Sequence, residues 1–225
     1  MQVTYLGHGS ISVEINNKTF LIDPFISVNT LAKHIDVNSL KADYILITHA
    51  HQDHILDVET IAKRTGATII SNYEIIMHYV AKEFKGHPLN HGGSCEFDEV
   101  NIKYVNAVHT SSFPDGSYGG QPGGFVLSHG NKSVYIAGDT AVTYDMKLIP
   151  MFNNIDLAIL PIGDNFTMGV DEAILASDFV ECNKVLGCHY DTFPPIKINK
   201  EEAITKFSNK GKNLVLLEIG DSLTV

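Results

Sequence analysis

The chain is short of three things, each of which would have pointed to a class of protein. Cysteine is limited to Cys95, Cys182 and Cys188, an odd and widely spaced set without a CxxC pair. A disulfide framework is therefore not expected, and buried thiols are. Basic residues are outnumbered, 16 Lys and Arg against 26 Asp and Glu, for a formal net charge of −10, and they form no run. A broad nucleic-acid surface needs clustered cations, so none is expected, although a small local anion pocket stays open. No uninterrupted apolar stretch reaches membrane-spanning length. Met1-Gln2-Val3-Thr4-Tyr5-Leu6 runs into strand-like sequence with no basic segment ahead of it. The expectation is a cytoplasmic protein without nucleic-acid or membrane partners, and a homo-oligomer is compatible with it.

What remains is an ordinary globular composition, 225 residues of which 44% are hydrophobic. Apolar alternation predicts strands over residues 3–6, 11–15 and 19–22, with Asn16-Asn17-Lys18 as the hairpin turn. A loop and short helix near 31–35 lead to a strand ending at Thr48. Ile55, Val58, Ile61 and Ala62 share a helical face that Gly66 stops. Further strands are expected at 68–71, 96–97, 101–108, 125–128, 133–137, 155–162, 185–188 and 214–217. Further helices are expected at 73–84, 171–180 and 201–207. With no linker or low-complexity segment, this order suits a single α/β domain over 1–225, two sheets face to face with helices outside. The longest irregular stretch, 110–124, is rich in Gly, Ser and Pro and reads as a flexible flap.

The densest chemistry follows the apolar run Tyr44-Ile45-Leu46-Ile47: Thr48-His49-Ala50-His51-Gln52-Asp53-His54. Alternate residues of an extended backbone share a side, so His49 and His51 can face one metal ion. Asp53 and His54, where the chain bends into a helix, can face its neighbour. Such a pair of ions lowers the pKa of a bridging water and supplies hydroxide near neutral pH. Histidines that merely cap helices or fill a core are the ordinary alternative. Two alternate histidines would not displace it, but the full string between a strand and a helix does. Three more candidates each follow a predicted strand: His109, Asp139 and His189.

The ordered pattern His-x-His-x-Asp-His, His, Asp, His resembles the metallo-β-lactamase superfamily over nearly the whole chain. The resemblance implies a four-layer αββα sandwich. It implies that His49, His51 and His109 hold one divalent ion, that Asp53, His54 and His189 hold another, and that Asp139 bridges them. Zinc suits these ligands first, with manganese or iron as alternatives. Asp139 stands where some β-lactamases carry Cys, and His51 where the diiron flavoprotein branch carries Glu, which favours hydrolysis over redox chemistry. Gly7-His8-Gly9-Ser10 resembles the branch of ascorbate-phosphate lactonase and the N-acyl-phosphatidylethanolamine hydrolases. Phe166-Thr167-Met168-Gly169 and His189-Tyr190-x-Thr192-Phe193-Pro194 are similar to small bacterial and archaeal metal-dependent hydrolases.

Other residues carry competing readings. His8 either reaches a substrate or a proton, or is a turn histidine open to water. Asp53 is a ligand that can also take a proton from the attacking water. Asp23 can accept a hydrogen bond from a metal-bound imidazole, or simply end a strand before Pro24. Tyr190 and Thr167 line a pocket or fill structure, and Thr140 can cap a turn. His34, His78, His87, His91 and His129 read as surface or capping residues, with His87 and His91 the strongest exceptions. The expected function is hydrolysis of a small-molecule ester, lactone or phosphoester by a metal-bridging hydroxide. A phosphodiesterase or nuclease and a non-catalytic metal sensor are the alternatives.

Overall fold

A computed structural model describes residues 1–225. The first half opens with an antiparallel meander of β1 (Gln2–Gly7), β2 (Ser10–Ile15) and β3 (Lys18–Ile22). Asn16 and Asn17 turn the second hairpin at φ +51° and +60°, a left-handed pair that asparagine tolerates. Three parallel strands extend this sheet, β4 (Tyr44–Leu46), β5 (Thr68–Ser71) and β6 (Gly86–Pro88). Their crossovers hold α1 (Gln52–Ile55), α2 (Val58–Thr65) and α3 (Tyr73–Val80).

The second half repeats the plan. β7 (Ser94–Phe97), β8 (Val100–Asn106), β9 (Gly123–His129) and β10 (Lys132–Ile136) pair antiparallel. β11 (Leu157–Pro161), β12 (Lys184–Cys188) and β13 (Asn213–Val215) then add in parallel, with α4 (Val170–Phe179) and α5 (Lys200–Asn209) as crossovers. β14 (Ser222–Thr224) returns to pair with β1. The result is two seven-stranded sheets, ordered β14-β1-β2-β3-β4-β5-β6 and β13-β12-β11-β10-β9-β8-β7.

Burial follows from the period of two. Val3, Ile11, Val13, Phe20 and Ile22 meet Ile102, Tyr104, Phe125, Leu127 and Val134 between the sheets. The outer face of one sheet packs on α2 and α3 through Ile45, Ile69, Ile61 and Ile75; the other packs on α4 and α5 through Leu160, Ala173 and Phe207. These three apolar layers make the expected αββα sandwich. No helix is long and apolar enough to cross a membrane.

The differences from expectation are local. Residues 31–35 form turns in place of a helix. Asn29 Oδ1 accepts the Leu31 N–H at 3.0 Å, and its carbonyl accepts the Ala32 N–H, so local side-chain bonding competes with helix growth. The helix at 73–84 ends at Val80, because Glu83 turns at φ +66° and brings the Phe84 N–H back to the Tyr79 carbonyl. β6 and β14 were not expected.

Loop 110–122 is pinned, against the reading of a free flap. Ser111 and Gly119 exchange two bonds, Gly119 N–H to Ser111 O at 3.1 Å and Ser111 Oγ–H to Gly119 O at 2.9 Å. Asn72 Nδ2 at the start of α3 donates to the carbonyls of Gly119 and Gln121. Phe113 is buried and stacks on His78 at 4.0 Å. A Cβ on Gly119 would collide with Ala50 Cβ and Ser111 Oγ, so that glycine serves close approach and not hinge motion.

Candidate metal centre

Six strands deliver polar side chains from their carboxyl ends to one edge of the sandwich. β1 leads to His8, β3 to Asp23, β4 to the 48–54 string, β8 to His109, β10 to Asp139 and β12 to His189. All seven residues expected as ligands arrive there. The donor atoms of His49, His51 and His109 lie within 4.8 Å of one another, and so do those of Asp53, His54, His189 and His8. Asp139 stands between the groups. Its Oδ2 is 3.1 Å from His189 Nε2, 3.4 Å from His54 Nε2, 3.7 Å from His109 Nε2 and 3.9 Å from His49 Nε2.

Buried partners behind the cluster decide which nitrogen faces it. Asp23 is 1% exposed and accepts the Thr48 N–H at 2.8 Å and the Thr48 hydroxyl at 2.6 Å. It also lies 2.8 Å from His54 Nδ1. An ionised carboxylate only accepts, so His54 Nδ1 carries a proton and Nε2 is the nitrogen turned to the centre. The Thr48 hydroxyl, its one proton given to Asp23, accepts from His49 Nδ1 at 3.0 Å. That leaves His49 Nε2 facing the centre too. One carboxylate thus orients two imidazoles, directly and through a threonine.

His8 is not open to water. It is 1% exposed, with Nε2 2.9 Å from Asp53 Oδ2 and Nδ1 3.0 Å from Thr192 Oγ1. Burial, then the neighbouring His189, pushes its pKa down to about 4, so its ring is neutral near pH 7. Burial lowers His49 as well, with His54 adding to it. His54 and His189 move the other way. Burial opposes the charge most strongly, but Asp139, joined by Asp23 at His54 and by Asp53 at His189, together outweighs it, and His189 rises to about 9. Burial would raise Asp139 and Asp53, yet the surrounding imidazoles hold both carboxyls below the usual range.

These residues fit a metal. His54 Nε2 and His189 Nε2 are buried without an aligned hydrogen bond, though each lies close to Asp139. Unpaired buried nitrogens are costly unless something binds there. A mixed set of imidazole and carboxylate donors is what zinc and similar divalent ions take.

Residues 18–190 match the family model of the beta-lactamase superfamily domain. A UPF0173 metal-dependent hydrolase of Christiangramia forsetii is 62% identical over 224 residues, covering 99% of both chains. Another, of Methylacidiphilum infernorum, is 47% identical over 225 residues, again covering 99% of each. The chain belongs to the UPF0173 metal-dependent hydrolase family of this superfamily. Among solved structures it is similar to Igni18, a metallo hydrolase of Ignicoccus hospitalis, with 34% identity and a TM-score of 0.91 over 100% of this chain and 97% of that one.

Several residues of this UPF0173 chain fall outside the cluster. His87 packs on the Phe97 ring, and His91 Nε2 meets the Pro122 carbonyl at 2.9 Å, so neither joins the site. Thr140 ties loops together: its hydroxyl accepts the Val108 N–H and its carbonyl accepts the Met168 N–H. Tyr190 is buried and stacks on Tyr5, and Thr167 is half-buried with its hydroxyl on the Met168 carbonyl, so both serve structure. Two contributors were missed, Thr48 and Ser111. Ser111 Oγ accepts the Ala50 N–H at 3.1 Å and so fixes the backbone between His49 and His51. The only signal for Thr48 was its place ahead of the histidine string; Ser111 had none.

Proposed function

We propose that the chain is a binuclear metal-dependent hydrolase acting inside the cell on a small-molecule ester, lactone or phosphoester. The observation that carries this reading is the place of Asp139, one carboxylate oxygen among four imidazole nitrogens drawn from both donor groups. In that reading His49, His51 and His109 would hold one ion, Asp53, His54 and His189 would hold the other, and Asp139 would serve both. Bound divalent ions acidify water and polarise the acceptor oxygen of a substrate.

The chain's own residues do the rest. Asp23 and Thr48 engage Nδ1 of His54 and His49, so that Nε2 is the nitrogen each ring aims inward. Asp53 is the least buried carboxylate of the centre, with 28% of its side chain exposed. It is therefore the group placed to take a proton from water at the mouth. The names of the 62% and 47% identical relatives support hydrolysis and metal dependence. The three free cysteines suit a reducing compartment.

The test is elemental analysis of the native protein, followed by a panel of esters, lactones, phosphomonoesters, phosphodiesters and thioesters, each run with and without chelator. Two equivalents of a divalent ion and chelator-sensitive turnover are expected. One equivalent at saturation would remove the binuclear reading, and turnover that resists chelation would remove the mechanism.

A further inference from the structure

We propose that His8 is a positioning residue for Asp53, held in one tautomer by Thr192, and that this pair sets how tightly the Asp53–His54–His189 group holds its ion. The proposal rests on the metal-centre reading above and adds a role for two residues outside its ligand set.

The β1–β2 turn is built to present this ring. Gly7 and His8 turn at φ +100° and +55°. A Cβ on Gly9 would stand 2.9 Å from His54 Cε1, so the turn lies against the His54 ring with no space to spare. The His8 carbonyl accepts the His189 N–H at 2.9 Å, which staples the turn to the segment after β12. Phe25 and Phe193 flank the imidazole at centroid distances of 5.5 and 5.3 Å, and the His189 ring lies 4.0 Å away. The ring has little freedom to rotate.

Its two nitrogens then have distinct tasks. Asp53 Oδ2 can only accept, so His8 Nε2 carries the proton of that 2.9 Å bond. Nδ1 then accepts, and the Thr192 hydroxyl, 3.0 Å away, is nearer to it than to the Tyr190 carbonyl at 3.3 Å, the other acceptor for its one proton. Thr192 thereby selects the tautomer that His8 needs in order to donate to Asp53. The oxygen so held, Oδ2, is also the one 3.8 Å from His189 Nε2 and 3.9 Å from His54 Nε2. His8 lies behind Asp53 with none of its side chain exposed, against 28% for Asp53. A ring in that place steers the carboxylate and does not touch substrate.

The experiment titrates metal-free protein with Zn²⁺ in competition with a chromophoric chelator, and records the visible absorption of the Co²⁺-loaded form. His8→Asn tolerates the left-handed backbone and keeps an amide near the Nδ1 position, but it cannot reach Asp53. His8→Gln places its amide N–H near the Nε2 position. Removal of an outer partner typically costs 10–100-fold in metal affinity. His8→Asn should therefore weaken one of the two binding steps by about 10–100-fold and alter the cobalt spectrum, while His8→Gln largely restores both. Thr192→Val should weaken the same step, and Thr192→Ser should restore it.

Unchanged affinity and spectrum in both His8→Asn and Thr192→Val would overturn the proposal. So would a His8→Gln protein as impaired as His8→Asn, because His8 would then act as something other than a donor to Asp53. If His8→Asn does not fold, the Thr192 pair decides alone. Wild-type protein that binds no ion would instead bring down the metal-centre reading, and this proposal with it.

Discussion

Asp23 shows how much one residue behind a site can carry. It is buried, its carboxylate makes three hydrogen bonds, and it orients His54 directly and His49 through Thr48. Asp23→Ala should lower metal affinity by about 10–100-fold. It should also cost about 3–5 kcal/mol, the usual penalty for breaking a buried charged pair. Metal titration and urea unfolding measure the two effects, and a variant with wild-type values in both would strip Asp23 of this role. The pKa directions make a second prediction. His189 rises to about 9 when protonated beside Asp139, and His54 is raised by the same carboxylate. Zinc must displace those protons, so binding at pH 7.5 should release protons, and apparent affinity should climb as pH rises toward 9. In the metal-free protein the raised His189 contributes stability in full below pH 6.5, and this is lost as pH rises through about 9. Calorimetry in buffers of different ionisation enthalpy reads the proton count. At this scale the sequence was highly legible: His49, His51, Asp53, His54, His109, Asp139 and His189 all follow strands and all converge. Thr48, Thr192 and Ser111 had no role at the centre legible in the sequence, because a hydroxyl that orients a neighbour leaves no spacing pattern.

Among the elements, loop 110–122 departs furthest from expectation. A long Gly-Ser-Pro stretch suggests mobility, but partners far away in sequence, Asn72, His78 and Ala50, hold it down. Only 114–118 at its tip is exposed throughout. Phe113→Ala should therefore destabilise the loop by about 3–5 kcal/mol, as truncation of a buried aromatic does. Cleavage within 114–118 under limited proteolysis should accelerate, and an unchanged cleavage rate would return the loop to the status of a free flap. Gly119→Ala should cost about 1–3 kcal/mol through overpacking against Ala50, with a fall in melting temperature as the readout. β8 was legible from alternation and β9 from its apolar run Phe125-Val126-Leu127. β6 and β14, three residues each and containing Gly, Pro, Ser or Thr, are too short to show a period. They exist because a neighbouring edge was available to pair with.

For the whole molecule, the core does not depend on the centre. The apolar layer between the sheets and the two beneath the helices touch the centre only at one edge, through residues such as Ala50, Ile55, Cys188 and Tyr190, and the rest of each lies away from the ligands. Chelation should leave far-UV circular dichroism largely native while activity is lost. Collapse of the spectrum would show that the ions hold up the fold. The sandwich was legible at this scale because the order of strands and helices admits few other packings. The pairing of β14 with β1 was not, since no local pattern tells a last strand to cross back to the first sheet.

The two donor groups each draw from both halves of the chain: His49 and His51 join His109, and Asp53 and His54 join His189. An ion in either group would thus be a cross-link between the sheets, closed by residues 58–136 positions apart in sequence. Its grip acts on the native state alone, adding stability that grows with free ion concentration. Amide exchange in β3, β4, β10 and β12 should slow when metal is loaded, and the two sheets should open less often as independent leaves. A centre built for chemistry would then double as a latch, one that the cell's supply of metal tightens or slackens.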